Sequence, residues 1–332
     1  MKWVYKAAFG LLVAVTAAAA AGSLYFYSRV NDNTDKENAY ELRNYPDYYF
    51  SLILNTEDDI YWKDFKEGAT DAMKRYNVAI EYNEVPEPES TAKTVEYIHI
   101  ANESKMDGII VAGDISDDFN AAISQATDSG INVISCKYDI PENDRVTFVG
   151  TNNYEFGGDA YKLIAQLSKD GETVDLAIIL SEDYGTNGAL NPSTQNIMTG
   201  MSKEPINIVS TLYGTSELLG AEDQIRTTLT EHPDIDVILC TNAKDTISAV
   251  NVIRERNLVG KVFIVGTGMT EQIIDYIKKG VIFGVIDRRG YDAGYKSVKA
   301  LYESMGKTFP TTFMDSNTST YTAENISDYV KP

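Results

Sequence analysis

Apolar residues in most of this chain come in short unbroken runs, separated by longer stretches in which they recur every three or four positions. The run at 48–54 (YYFSLIL) has strand length and is followed by Trp62, Phe65, Ala69, Ala72, Met73 and Tyr76 at helical spacing, with charged residues between them. The alternation continues with strand-like 108–112, helical 117–129, strand-like 131–135 and 146–150, and a helix from Tyr154. It resumes with strands at 174–180, 206–212, 237–240, 262–265 and 281–286. Helices are predicted near 194–201, from Ser216, and over 243–256, 270–279 and 291–305. Continuous apolar runs between amphipathic helices predict α/β architecture, with parallel sheets covered on both faces. The chain also resembles itself. Residues 107–111 (DGIIV) correspond to 236–240 (DVILC), each followed by a helix and a second strand, so two similar lobes are expected rather than a short-period solenoid.

The amino terminus has a different pattern. Residues 7–28 carry no charge, follow Lys2 and Lys6 and precede Arg29; as a helix they would span about 33 Å, the thickness of a bilayer core. The same start fits a cleavable signal peptide, with small residues at 18–23. Tyr25, Phe26 and Tyr27 suit a membrane interface and favour a retained single-pass anchor. Both readings carry the rest of the chain out of the cytoplasm, and the lysines agree with a positive inner side. Residues 31–47 are polar, poor in aliphatics, and read as a stalk.

Charge and composition then narrow the chemistry. The 332 residues include 29 Lys and Arg against 49 Asp and Glu, a net charge of −20, so a nucleic-acid partner lacks its positive footprint. Two cysteines, Cys136 and Cys240, and two histidines, His99 and His232, cannot build a four-cysteine or paired Cys/His zinc centre, and no cofactor is expected. Nucleophile-elbow, HExxH, Walker and GxGxxG patterns are absent, and neither histidine has an adjacent nucleophile. A non-enzyme is expected. The alternative is a sugar hydrolase working through carboxylates such as Asp59 or Asp114.

Residues 48–76 resemble the opening strand, ligand loop and first helix of the type I periplasmic sugar-binding proteins, the ribose- and galactose-type group. Further likenesses follow in order: residues 106–136 with Ile131-Asn132-Val133-Ile134 for the family's "IPVI", 149–158 (VGTNNYEFGG), 240–250 (CTNAKDTISAV), 265–268, and 321–329 (YTAENISDY). The resemblance implies two Rossmann-like lobes joined by three crossovers, residues 48–151 with 288–314 and residues 152–287 with 315–332, and a ligand in the cleft between them. Open parallel sheets also gather ligands at the carboxyl ends of their strands.

Aligned with the family's "NNPFF", Asp59 falls on a hydroxyl-binding position and Tyr61 and Trp62 on ring-stacking aromatics, which suits a sugar with an apolar face and a hydroxyl rim. Trp62 equally fits the core stripe of its helix. The resemblance further implies ligand contacts at Asp114, Tyr138, Asn187, Asn242 and Arg288. Asp114 could instead favour a helix start, Asn187 be a plain loop residue, Asn242 cap a helix, and Arg288 form a hinge salt bridge. Three positions depart from the family: Lys137-Tyr138 replaces its Asp-Arg pair, Gly268 its aspartate, and Arg288 a frequent glutamine. The expected protein is a membrane-anchored solute-binding protein that captures a small polar ligand, a sugar by class, for an ABC permease or a sensor histidine kinase.

Overall fold

The computed structural model describes residues 21–23, 45–55, 60–86, 90–113, 116–137, 144–180, 192–213, 220–306, 308 and 310–329. Apart from residues 21–23, the expected anchor at 1–30 lies outside them, as does the expected stalk up to residue 44. Among the described residues no helix is long and apolar enough to cross a membrane. Residues 1–47 and 48–332 are separate units, and the second carries the α/β architecture.

Its first half winds as β1 (Tyr48–Asn55), α1 (Ile60–Tyr76), β2 (Val78–Val85), α2 (Ser90–Glu103), β3 (Gly108–Ala112), α3 (Asp117–Asp128), β4 (Asn132–Cys136) and β5 (Thr147–Gly150). The second half repeats the alternation: α4 (Asn153–Ala165), β6 (Val174–Leu180), α5 (Pro192–Met201), β7 (Ile206–Tyr213), α6 (Gly220–Glu231), β8 (Val237–Cys240), α7 (Ala243–Glu255), β9 (Phe263–Thr267), α8 (Glu271–Lys278) and β10 (Gly284–Asp287). The chain then returns as α9 (Gly290–Met305), β11 (Phe313–Asp315), β12 (Ser319–Thr322) and a 3-10 turn (Ile326–Asp328).

Two six-stranded sheets result, ordered β11-β5-β4-β3-β1-β2 and β12-β10-β9-β8-β6-β7. Every pairing is parallel except β10 with β12. The two orders are the same once β1 is matched to β6 and β3 to β8, which is the self-similarity read at 107–111 and 236–240. Each of those segments opens with an aspartate that grips the neighbouring strand. Asp107 accepts from the Tyr49 amide at 2.7 Å while its own amide donates to the Tyr49 carbonyl; Asp236 and Asp175 repeat the exchange at 2.9 Å.

Side-chain alternation along the central strands feeds two cores per sheet. In the first lobe Phe50, Leu52 and Leu54 face α1 and α9, with Phe65, Val298 and Leu301, while Ile53, Ile109 and Val111 meet Ile98, Phe119 and Ile123 on the other side. Glycines bring the outer helices together. A Cβ on Gly68 would lie 2.0 Å from the Tyr291 carbonyl oxygen, and one on Gly294 2.0 Å from that of Phe65, so α1 and α9 touch backbone to backbone. Gly157 and Gly200 do the same for α4 and α5, at 2.2 Å and 2.5 Å from the Ile197 and Tyr154 carbonyls.

Three features differ from the sequence expectation. β2 is absent from it, because VAIEYNEV carries Glu81 and Glu84 on an exposed edge. β11, of three residues, is too short to leave a period, and β12, of four, enters the expectation only through the terminal strand that the resemblance implies at 321–329. The strand expected over 281–286 begins only at Gly284, because Val281 and Ile282 both donate to the Tyr276 carbonyl in the turn that closes α8 around Gly280, at φ +69°.

Candidate functional site

The chain passes between the sheets three times, and the passages lie side by side. Thr151 follows β5, Arg288 follows β10 and Ser316 follows β11. The Thr151 and Ser316 hydroxyls are 3.4 Å apart and both approach the Arg288 carbonyl, at 3.5 Å and 3.2 Å. Ser316 also donates its amide to the Gly150 carbonyl at 2.8 Å. Buried hydroxyls thus satisfy a carbonyl that an irregular connection would otherwise leave without a partner.

At the second passage the Arg288 side chain leans on the second lobe. Its Nη1 donates to Asn153 Oδ1 at 2.8 Å, and its guanidinium lies 4.1 Å from the centre of the Phe156 ring. Both partners sit in the first turns of α4, whose start Asn152 fixes by accepting from the Tyr154 and Glu155 amides. The neighbouring Arg289 takes a left-handed conformation (φ +49°), donates its amide to Asp287 and its side chain to Asp292 on α9, and reaches Ser319 on β12. Burial raises the Asp287 pKa above the ordinary carboxylate value, against the lowering effect of the Arg289 amide and charge.

The start of α1 forms the opposing wall. Ile60 packs against the core of the second lobe, where a Cβ on Gly268 would come within 3.3 Å of its side chain and 2.6 Å of the Ala243 Cβ. Gly268 has φ +92°, so conformation and space both disfavour the aspartate that the sequence resemblance implies there. Tyr61 and Trp62 turn into the first lobe's core, 8% and 2% exposed, with rings edge to face at 5.1 Å. Trp62 meets Phe65 in the same way at 5.5 Å. The core-stripe placement is therefore the one adopted by Trp62, and its ring has no open face for a ligand. Above both rings lies Lys137, which follows β4 at φ +63°, its ammonium 4.9 Å from the centre of the Trp62 ring and 5.8 Å from that of Tyr61. The Trp62 indole N–H is buried without an acceptor among the described residues.

Asn242 caps α7. Its Oδ1 accepts from the Asp245 amide and its Nδ2 donates to the Asp245 carboxylate, both at 2.7 Å. One hydrogen of Nδ2 and one lone pair of Oδ1 remain for a ligand. Asp59, Asp114, Tyr138 and Asn187 lie outside the described residues. Among the expected residues that are described, Arg288 stands at the middle crossover, Asn242 at the start of α7, and Tyr61 and Trp62 in the first lobe's core. Sequence reasoning passes over three residues in contact with them: Lys137, legible only as a departure from the family resemblance, and Asn153 and Phe156, which stand inside the VGTNNYEFGG segment.

Binding rather than bond-breaking chemistry suits these groups. Cys136 and Cys240 are buried and unbridged, and burial pushes both thiols up, which leaves them inert. Among the described residues no group of three His, Cys, Asp or Glu is placed to hold a metal. A groove of about 590 Å³ runs along α1 between Tyr82 and Tyr291, and several of its polar groups pair with one another, Lys74 and Tyr291 with Asp71 and Thr70 with Tyr82.

Comparison with known proteins points the same way. The family model described as "Periplasmic binding protein domain" matches residues 50–308. The D-ribose/D-allose-binding protein of Pseudomonas aeruginosa is 22% identical over 246 residues, covering 72% of this chain and 76% of its own. Among solved structures, the glucose-galactose binding protein GanP of Geobacillus stearothermophilus superposes with a TM-score of 0.73 at 26% identity, covering 84% of this chain and 98% of that one. XylFII in its complex with LytSN superposes at 0.71 with 22% identity, covering 83% and 98%.

Proposed function

Because the chain belongs to the type I periplasmic sugar-binding family, whose members are binding proteins and not enzymes, we propose that its two lobes close on a monosaccharide outside the cytoplasm. The observation that carries this reading is Arg288. It leaves the middle crossover, is oriented by Asn153 and Phe156 of the second lobe, and is a position at which the sequence resemblance implies a ligand contact. A guanidinium held in this way offers a fixed fork of donors to ring hydroxyls. Asn242 at the end of β8, Tyr61 at the start of α1 and the loop carboxylates Asp59 and Asp114 complete the proposed ligand set, with Tyr138 and Asn187 at its rim.

Residues 1–30 act, in this proposal, as a retained membrane anchor, which tethers the binding lobes beside one partner. Delivery to an ABC permease suits the sugar-binding relatives. Partnership with a membrane receptor kinase suits the tether, and XylFII, of the same fold, forms a complex with LytSN. Co-purification from membranes separates the two, since a permease partner overturns the receptor reading and a kinase partner the transport reading. Amino-terminal sequencing that begins near Gly22 overturns the anchor.

The ligand is tested by thermal unfolding of the full chain in detergent with D-ribose, D-allose, D-glucose and D-galactose. A sugar present at 100 times its dissociation constant stabilises by about 2.7 kcal/mol. No shift with any sugar, neutral or acidic, overturns the reading.

A further inference from the structure

We propose that Ile60 and Gly268 form an apolar clasp that holds the two lobes closed without a ligand. The clasp goes beyond the sugar-binding reading, because it concerns the lobes themselves.

Ile60 opens α1 of the first lobe at the carboxyl end of β1, whereas Gly268 follows β9 and Ala243 opens α7 at the carboxyl ends of strands in the second sheet. A contact among these three residues therefore crosses the cleft. Ile60 packs against the cluster of buried residues that includes Ala243 and Met269, and its Cγ2 lies 3.3 Å from the place where a Cβ on Gly268 would stand. The Ala243 Cβ lies 2.6 Å from the same place, so any side chain at 268 would fill the notch into which Ile60 fits.

The exchange of residue type at 268 gives the contact its meaning. The sequence resemblance implies an aspartate there. A carboxylate buried by closure needs a donor, which a ligand supplies, and closure without one is costly. Glycine removes that requirement, and Ile60 adds the gain of covering apolar surface. The lobes then do not wait for a ligand to close; entry of one requires the clasp to part.

The same face of α1 meets the second lobe again further along. Ile60, Asp64 and Glu67 stand at i, i+4 and i+7, on one side of the helix. Tyr329 packs on the second lobe's core and lies edge to face with Tyr321 at 5.4 Å. Its phenol is raised above the ordinary tyrosine value by burial and then by the charges of Asp64, Asp287 and Glu67, which puts it beside that stripe. The middle crossover enters the first lobe next to the clasp, where a Cβ on Gly290 would come 2.4 Å from the Tyr61 carbonyl oxygen. The clasp thus acts close to the fulcrum of lobe motion.

The test is a distance measurement across the cleft by double electron–electron resonance, on the full chain in detergent with no sugar present. Spin labels on Ala92→Cys in α2 and Thr227→Cys in α6 report the lobe separation. Both sites are exposed and follow the sheet edges farthest from the crossovers, and the native Cys136 and Cys240 are buried. The labelled parent is expected to show one short distance, that of the present structure. Ile60→Ser removes Cγ2 and is expected to add a longer distance and lower the closed-to-open ratio roughly tenfold. Ile60→Val keeps Cγ2 and is expected to retain the short distance. Circular dichroism checks that each variant folds. If Ile60→Ser leaves the distances unchanged, the contact is a hinge feature that persists through opening, and the clasp is overturned. A parent that is mostly open without sugar overturns it as well. Neither result bears on the sugar-binding reading, which the thermal screen tests separately.

Discussion

Arg288 is the residue at which fold and binding meet, and its removal separates the two. Its backbone carbonyl holds the crossovers together through Thr151 and Ser316, whereas its side chain is turned to α4. Arg288→Ala leaves the carbonyl in place, so the protein is expected to stay folded while ligand affinity falls roughly tenfold to a hundredfold, the cost of leaving about one buried partner unpaired. A hinge salt bridge would instead change stability and spare affinity; calorimetry beside thermal unfolding distinguishes them. Its neighbour Asp287 makes a pH-dependent prediction. A carboxyl whose folded pKa is raised binds its proton more tightly in the native state, so its ionisation destabilises the fold as pH rises through and above the ordinary carboxylate range. Asp287→Asn keeps an oxygen for the Arg289 amide and is expected to raise the melting temperature at pH 7 but not at pH 3, where both forms are neutral. Equal shifts at both pH values would exclude the ionic cause. At this scale sequence is an ambiguous guide. Asn242 and Trp62 each carry a binding and a structural reading, and only geometry shows that the amide caps a helix and the indole turns inward.

Paired glycines set how closely the helices of each lobe approach. Gly68→Ala or Gly294→Ala drives a methyl group against a backbone carbonyl at 2.0 Å, and a backbone atom cannot rotate away as a side chain can. Each is expected to destabilise by about 3 kcal/mol, the upper end of ordinary overpacking. Gly158→Ala, in α4 with nothing within 4 Å of its Cβ position, is expected to stabilise by about 0.5–1 kcal/mol through helix propensity alone. Chemical denaturation of the three variants checks the contrast. Most of the elements are legible in sequence because buried parallel strands are unbroken apolar runs, as in GIIVA, and the repeat at 107–111 and 236–240 marks equivalent strands gripped by equivalent aspartates. The edge strand β2 is not legible, since half-exposed positions accept glutamate. Nor is β11, whose strand character depends on a sheet formed by distant segments, and β12 is legible only through the family resemblance.

Neither lobe is a continuous piece of chain. The first sheet needs β11, and α1 needs α9, both from beyond residue 289; the second sheet takes β12 from the last residues described. A fragment of residues 48–151 is therefore expected to lack the apposing face for Phe65 and Leu52 and to give poorly dispersed proton resonances; a well-dispersed spectrum would show that α9 is dispensable. The same weaving dictates a timetable. A ribosome releases the amino end first, yet β5, complete at Gly150, waits for a partner strand that begins only at Phe313 before its free edge is covered. Through most of translation the older lobe stands open along α1 and β5, while the younger assembles β6 to β10 from consecutive segments. The lobe begun first is thus finished almost last, and a chaperone that shields nascent apolar surface has its longest engagement with residues 48–151.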